Sequence, residues 1–232
     1  VDREVGEFLD SLDKKLLDRT IVVIFSEHGE MFARHGRFGR SGTIRGTLYD
    51  DVVHVPLAIR IPGVKGRRVR GLVQIVDIMP TLMQIMDAPI SHRIQGTSLL
   101  PLMNKNKAVN EFVYAGAIYN TAKPEAYAPY DIASINESIR NDEWKLIHEI
   151  KFLDSPEDPA SGSTEETFEL YDLKKDPYEL VNSAAAYPDT VNLLKGKLEQ
   201  WAESSRKFMQ SDPSTRNIPE EVRENAKKHG YW

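Results

Sequence analysis

The sequence predicts an α/β half followed by a small antiparallel sheet with a C-terminal helix, and three observations carry that prediction. Ile21 to Phe25 is an unbroken apolar, mostly β-branched run between Thr20 and Ser26. That is the pattern of a strand buried on both faces in a parallel sheet covered by helices. Apolar residues at helical spacing lie on either side of it in the chain. From about residue 112 the texture changes to short strands, closed by one helix.

In chain order, Val5, Phe8, Leu9, Leu12 and Leu16 recur at helical spacing with charges between them, so the first segment is a helix expected to pack on the sheet. The stretch from His35 to Ser41-Gly42 is glycine-rich and basic, and reads as a loop over the strand ends. Leu57 to Ile61 is strand-like, and Pro56 should open that strand because proline cannot donate to a ladder. Leu72 to Ile75 reads as a short extended stretch. Asp77 then looks like the cap of a helix with Ile78, Leu82, Ile85 and Met86 on its apolar side, and Pro80 fits in its first turn. Ser98 to Met103 is a short helical piece.

The polar segment Asn104 to Lys107, with Asn110 beyond it, marks a boundary between units at 1–108 and 109–232. Strands are expected at 112–118, 133–140, 144–150 and 168–173. Asn141-Asp142-Glu143 supplies hairpin chemistry between the second and third of these. Asp154 to Glu166 is a loop by composition. Val191, Leu194, Leu198 and Trp201 mark the closing helix, and the tail from Ser211 is weakly patterned. Trp144 and Tyr171 are expected to be buried.

At 232 residues, 41% hydrophobic and 28% charged, the chain can bury one substantial core plus an appendage. A net charge of -5 gives no reason to expect nucleic acid, and the cluster Lys65, Arg67, Arg68, Arg70 lies among glycines as a solvated loop. There is no cysteine, which excludes disulfides, thiolate metal sites and a cysteine nucleophile within this chain. No run of ~18 apolar residues exists, so no membrane span is expected. The chain opens on Val1 inside a helical pattern, so it is expected to be part of a longer protein.

In open α/β sheets ligands meet the carboxyl ends of the strands. Glu27 and His28, at the end of the apolar run, are therefore candidates for a metal or an anionic substrate, although a polar turn after a core strand would read the same way. Several separated pieces then coincide in order. They are Ser26-Glu27-His28-Gly29-Glu30, His35-Gly36, Arg45-Gly46-Thr47-Leu48-Tyr49-Asp50, His54-Val55-Pro56-Leu57, Asp77 to Leu82, Gln95 to Leu99, Arg140 to Ile147, and Leu170 to Leu180. Over about residues 1–205 this resembles the C-terminal half of a sulfatase, in the alkaline-phosphatase superfamily.

That resemblance implies a sulfuric ester hydrolase on a mixed, mostly parallel sheet flanked by helices, alkaline-phosphatase-like. It implies a divalent metal cation, calcium by family, beneath a formylglycine nucleophile. Glu27 and His28 match the family's second pair of metal ligands. Arg45 falls on the lysine of the K-x-x-x-[YF]-[ED] motif that holds sulfate oxygens, Arg40 is an alternative for that role, and His35 lies on the loop facing the site. Sulfuryl transfer, like phosphoryl transfer, is mostly positioning and charge stabilisation, so His35 and Arg45 are the expected catalytic side chains. His35 would donate a proton or hydrogen bond to the leaving oxygen. A structural hydrogen bond for His35, and a surface salt bridge from Arg45 to Asp50 or Asp51, are the plainer readings. His54, His92, His148 and His229 read as structural or solvated.

The departures from the pattern bear on the metal and the chemistry. Glu27 stands where the family has Asp, and its extra methylene moves the carboxylate by ~1.5 Å against calcium–oxygen distances of ~2.3–2.6 Å. His28 is a borderline-soft ligand that favours manganese or zinc more than calcium. Arg45 is a planar fork that clamps oxygens but cannot yield a proton. The nearest match to the nucleophile motif C/S-x-P-x-R, at Ser211 to Arg216, is one residue too long and misplaced. The nucleophile and first metal pair are therefore expected in the N-terminal half of the same protein, and the isolated chain is expected to be inactive. The expected substrate is a sulfate-ester small molecule or carbohydrate. The competing readings are a phosphodiesterase or phosphonate monoester hydrolase of the same superfamily, and a degenerate, non-catalytic relative.

Overall fold

The computed structural model describes residues 1–39, 47–91, 94–120, 132–153 and 163–211. Arg40, Arg45, His92, His229, most of the loop read at 154–166 and the tail beyond 211 lie outside the described residues.

The chain begins with α1 (Asp2–Ser11) and the one-turn α2 (Lys14–Leu17), which Asp13 caps by accepting from Lys15 N and Leu16 N. The expected packing of this segment is not seen. Neither helix contains a buried residue, and Phe8 and Leu16 are exposed. β1 (Val22–Phe25) follows as expected and pairs antiparallel with β4 (Leu57–Arg60), which starts directly after Pro56. Burial of β1 on both faces is corrected, because Ile24 is 41% and Phe25 46% exposed. Among the described residues β4 is its sole ladder partner, so neither its second edge nor its outer face is covered.

Between these strands lie the short hairpin of β2 (Met31–Phe32) and β3 (Phe38–Gly39), and α3 (Asp50–Val53). The extended stretch expected at 72–75 gives way at Ile75 to a 3-10 turn, Ile75–Asp77, that leads into α4 (Ile78–Ile85). Asp77 is fully buried and precedes α4 directly, but its side chain makes no capping hydrogen bond to that helix, against expectation. Its carboxylate accepts from Gln74 N, Thr97 N and Asn110 Nδ2, so one acid ties three segments together. Gly96 is required at this joint, since a Cβ would collide with Val76 O. α5 (Leu100–Lys105) completes this half.

The second half is a four-stranded antiparallel meander, β5 (Val113–Asn120), β6 (Ile132–Arg140), β7 (Trp144–Leu153) and β8 (Ser163–Asp172), in the order β5-β6-β7-β8. β8 begins earlier than the composition suggests. The β6–β7 turn is set by Asn141 Oδ1, which accepts from Glu143 N and Trp144 N. α6 (Pro188–Ser211) covers one face.

Alternation along the strands assigns the faces. Ile139, Leu146 and Leu170 point to α6 and pack with Leu194 and Leu198, all buried. Ile147 and Tyr171, one residue on, point to the other face and pack with Met31, Leu48, Tyr49 and Val52. Burying each such side chain contributes about 1.5–3 kcal/mol. Tyr171 is buried as expected, whereas Trp144, against Tyr187 at the rim, is only half-buried. No described helix is long and apolar enough to cross a membrane. The meander therefore has a helix on one face and, on the other, the segment that follows β1.

Candidate active site

The chain turns sharply after β1. Ser26 Oγ donates to His28 O at 2.6 Å, and Gly29 N donates to Val52 O at 2.7 Å. Gly29 is needed for this approach because a Cβ would collide with Asp51 O. His28 Nδ1 lies 2.7 Å from Gly29 O. A carbonyl can only accept, so Nδ1 carries the proton, and the lone pair of the neutral ring is on Nε2. Nε2 lies 3.2 Å from Glu27 Oε1, whose carboxylate is 78% exposed. Two acceptors at this separation need a second proton or a cation between them, which is the donor set a divalent ion would use. Among the described residues no group of three or more His, Asp or Glu is gathered as for a metal ion.

Glu27 and His28 line a cleft of about 820 Å³ whose other walls include Asp50, Arg140 and Lys145. The last three belong to an ion network that no sequence pattern singles out. Lys145 is 1% exposed, with Nζ 2.8 Å from Asp50 Oδ1 and 2.7 Å from Glu179 Oε1, the latter an ion contact off hydrogen-bond angle. Arg140 Nη1 pairs closely with Asp50 Oδ2. Glu179 Oε2 accepts from Asp50 N at 2.7 Å, so the backbone of α3's first residue is held as well as its side chain. Burial pushes the Asp50 carboxyl up, but Lys145 and then Arg140 outweigh it and hold it below the ordinary carboxylate range. For Glu179 burial wins over Lys145, and its carboxyl is pushed up. The available signal for this network is the pair of motifs at 140–147 and 170–180, which mark the family order without pointing to a role for these residues.

The rest of α3 is anchored alongside. Tyr49 Oη and Tyr171 Oη donate to Glu169 Oε2 at 2.8 and 2.6 Å. Burial and the Glu169 carboxylate push the Tyr49 phenol up to about 12 and raise that of Tyr171 further. Asp51 pairs with Arg34 Nη1 at 2.9 Å, and Arg34 lies over the Tyr178 ring at 4.5 Å.

His35 is placed differently from its expected role. It lies in a 3-10 turn (Arg34–Gly36) with φ +54°, is stacked on Tyr49, and its Nε2 is buried with no hydrogen-bond partner among the described residues. It does not line the cleft with Glu27 and His28. Burial holds its imidazole below the ordinary histidine range, against the pull of Asp51 and Glu169. Arg40 and Arg45 fall outside the described residues, between β3 and Thr47. His54 is exposed, and His148 is buried, stacked on Phe168 with Nε2 3.2 Å from Glu166, in keeping with the structural reading.

The order of motifs, the metal-type pair at the end of β1 and the meander with its covering helix agree with a family comparison. Residues 44–204 match the family described as N-sulphoglucosamine sulphohydrolase, C-terminal. The chain belongs to the sulfatase family.

The sulfatase chain is 32% identical over 198 residues to arylsulfatase K of Gallus gallus, an alignment covering 83% of this chain and 33% of that protein. To arylsulfatase K of Homo sapiens it is 32% identical over 202 residues, covering 85% and 34%. It thus spans about a third of the length of these curated relatives. A solved structure in complex with its substrate D-glucosamine-2-N,6-O-disulfate superposes with a TM-score of 0.64 at 25% identity, covering 94% of this chain and 40% of that one. A structure from glycosaminoglycan metabolism in Bacteroides thetaiotaomicron has the same fold, with a TM-score of 0.64 at 22% identity over 93% of this chain and 43% of that one. The sulfatase fold, an α/β unit followed by a small antiparallel sheet with a C-terminal helix, is therefore that of this chain.

Proposed function

We propose that this chain is the C-terminal part of a sulfuric ester hydrolase acting on a sulfated carbohydrate, and that Glu27 and His28 give two of its ligands to a divalent cation. The observation that carries the reading is the Glu27–His28 pair. Nδ1 of the imidazole is engaged by Gly29 O, Nε2 faces a carboxylate oxygen at 3.2 Å, and both groups stand at the carboxyl end of β1 over a large cleft. A cation held there supplies positive charge next to the ester oxygens on which charge builds. An imidazole beside a carboxylate suits manganese or zinc as well as the calcium expected from the family.

Arg45, with Arg40 near it in sequence, is assigned to the sulfate oxygens, which a guanidinium can clamp at two points. His35, stacked on Tyr49 and outside the cleft that Glu27 and His28 line, is given no part in the chemistry. The formylglycine nucleophile and the remaining metal ligands are assigned to the N-terminal half of the same protein, outside this chain. The carbohydrate substrate class is supported by the similar solved structure in complex with D-glucosamine-2-N,6-O-disulfate.

The test is turnover of an aryl sulfate and of sulfated glucosamine by the full-length, matured protein, with calcium, manganese or zinc added after chelation. Metal-dependent sulfate release, lost on Glu27→Ala, is the expected result. Hydrolysis of a phosphodiester in preference to every sulfate ester would move the assignment to the phosphodiesterase branch. Absence of turnover with any metal and ester would make the chain part of a non-catalytic relative.

A further inference from the structure

We infer that the C-terminal meander positions the Glu27–His28 turn through α3, with Lys145 as the positioning residue. The inference rests on the preceding reading only for what that turn does; the mechanical connection stands on geometry alone.

The connection has no loose step. Lys145 lies on the face of β7 that carries Ile147, opposite Arg140 in the β6–β7 register and opposite Tyr171 in the β7–β8 register. Lys145 and Arg140 together grip the two carboxylate oxygens of Asp50, the first residue of α3. Glu179, 1% exposed and in the left-handed region at φ +59°, closes the grip from behind by accepting from Asp50 N and meeting Lys145 Nζ. A residue with a long acidic side chain held in that backbone region is a constraint that the surrounding structure has to enforce. α3 is thus fixed in charge and in backbone.

From α3 the position passes on in two contacts. Val52 O accepts from Gly29 N at 2.7 Å, and Asp51 O abuts Gly29 so closely that no Cβ fits. Gly29 O in turn faces His28 Nδ1 at 2.7 Å, the contact that orients the imidazole and sets which ring nitrogen has the lone pair. Groups that orient a ligand in this way typically change metal affinity 10–100-fold when removed. Because a hard contact and a hydrogen bond both join α3 to Gly29, a shift of α3 must turn the His28 ring. The same strands carry α6 on their opposite face, where Leu198 packs with Ile139, Leu146 and Leu170, so a loss of stability made there serves as a control for turn position.

The experiment uses the full-length protein and compares wild type with Lys145→Met, Lys145→Arg and Leu198→Ala. Three quantities are read: hydrogen exchange at the Gly29 amide, the Kd for Mn²⁺, and the melting temperature. Lys145→Met is expected to speed Gly29 exchange by about tenfold or more and to weaken Mn²⁺ about 10–100-fold. Lys145→Arg should restore most of both. Leu198→Ala should lower the melting temperature yet leave both within about twofold of wild type. The inference is overturned if folded Lys145→Met keeps both quantities within twofold, or if Leu198→Ala at an equal loss of melting temperature matches it. Should Lys145→Met fail to fold, Asp50→Asn, which keeps shape and removes the charge that Lys145 grips, is read the same way. If the wild type binds no Mn²⁺, the metal assignment falls, and Gly29 exchange alone decides this inference.

Discussion

The imidazole of His35 lies flat against the phenol of Tyr49, with ring centroids 3.8 Å apart and planes within 4° of parallel. This contact gives His35 a packing role at the point where the sequence suggested catalysis, and it makes the ring a pH-sensitive part of the α3 anchor. Burial lowers its pKa from the ordinary 6.5, so between the two values the unfolded chain binds the proton that the folded chain refuses. Stability from this group is complete above about pH 6.5 and declines as pH falls toward the depressed value. His35→Phe keeps an aromatic ring on Tyr49 and removes the titration. Urea denaturation at about pH 7.5 and about pH 5.5 should show the variant gaining on wild type at the lower pH. The gain should stay below about 1 kcal/mol, because water still reaches part of the ring and screens its charge. A difference that does not change with pH would mean that His35 does not titrate on unfolding in this range.

The two phenols on Glu169 predict a shared loss. Tyr49→Phe removes one hydrogen bond to a charged acceptor and should cost about 1.5–3 kcal/mol. Tyr171→Phe should cost a similar amount, and the double variant less than their sum if the pair competes for the same carboxylate oxygen. Phenolate absorbance offers a second check: with the Tyr49 pKa near 12, the difference between wild type and Tyr49→Phe should emerge only at the alkaline end of a titration.

Lys145 stands between two buried or half-buried carboxylates, so removing it leaves Glu179 without a cation and Asp50 with Arg140 alone. Lys145→Met should lower unfolding free energy by about 3–5 kcal/mol, as for other buried pairs broken on one side. Adding Glu179→Gln to that variant should recover part of the loss, because it removes the carboxylate left without a cation. Denaturation curves of the three proteins check this, and no recovery in the double variant would mean that Lys145 acts through packing instead.

Glu27 predicts the opposite pattern. Its carboxylate is 78% exposed, so Glu27→Ala should leave stability within about 0.5 kcal/mol. In the full-length protein the same change should reduce metal-dependent turnover by about 10²–10³ through lost charge stabilisation. Normal turnover with a normal melting temperature would sink the metal assignment for Glu27.

Which parts of the fold and site are legible follows from where their information lies in the chain. Period-two and helical apolar patterns are local, so β1, the strand opened by Pro56, the helix after Asp77, the hairpin at Asn141 and the closing helix are readable. The Glu27–His28 pair is legible for the same reason, because it follows a strand directly. Face and burial are less so. Ile24 and Phe25 look like core from composition, yet burial depends on what covers them, and β4 alone does not.

What the sequence determined by itself was the order of elements, the family and the residue types able to hold a metal and an anion. What only tertiary structure decided was which distant residues share charge. Asp50 lies 90 positions from Arg140, 95 from Lys145 and 129 from Glu179. No periodicity relates such residues, and the requirement that a buried ammonium meet its carboxylates is satisfied only after the sheet register has brought them together. The same holds for His35, whose neighbour Tyr49 comes from a later segment: its chemical type suggested a proton donor, and packing gave it a ring to lie against.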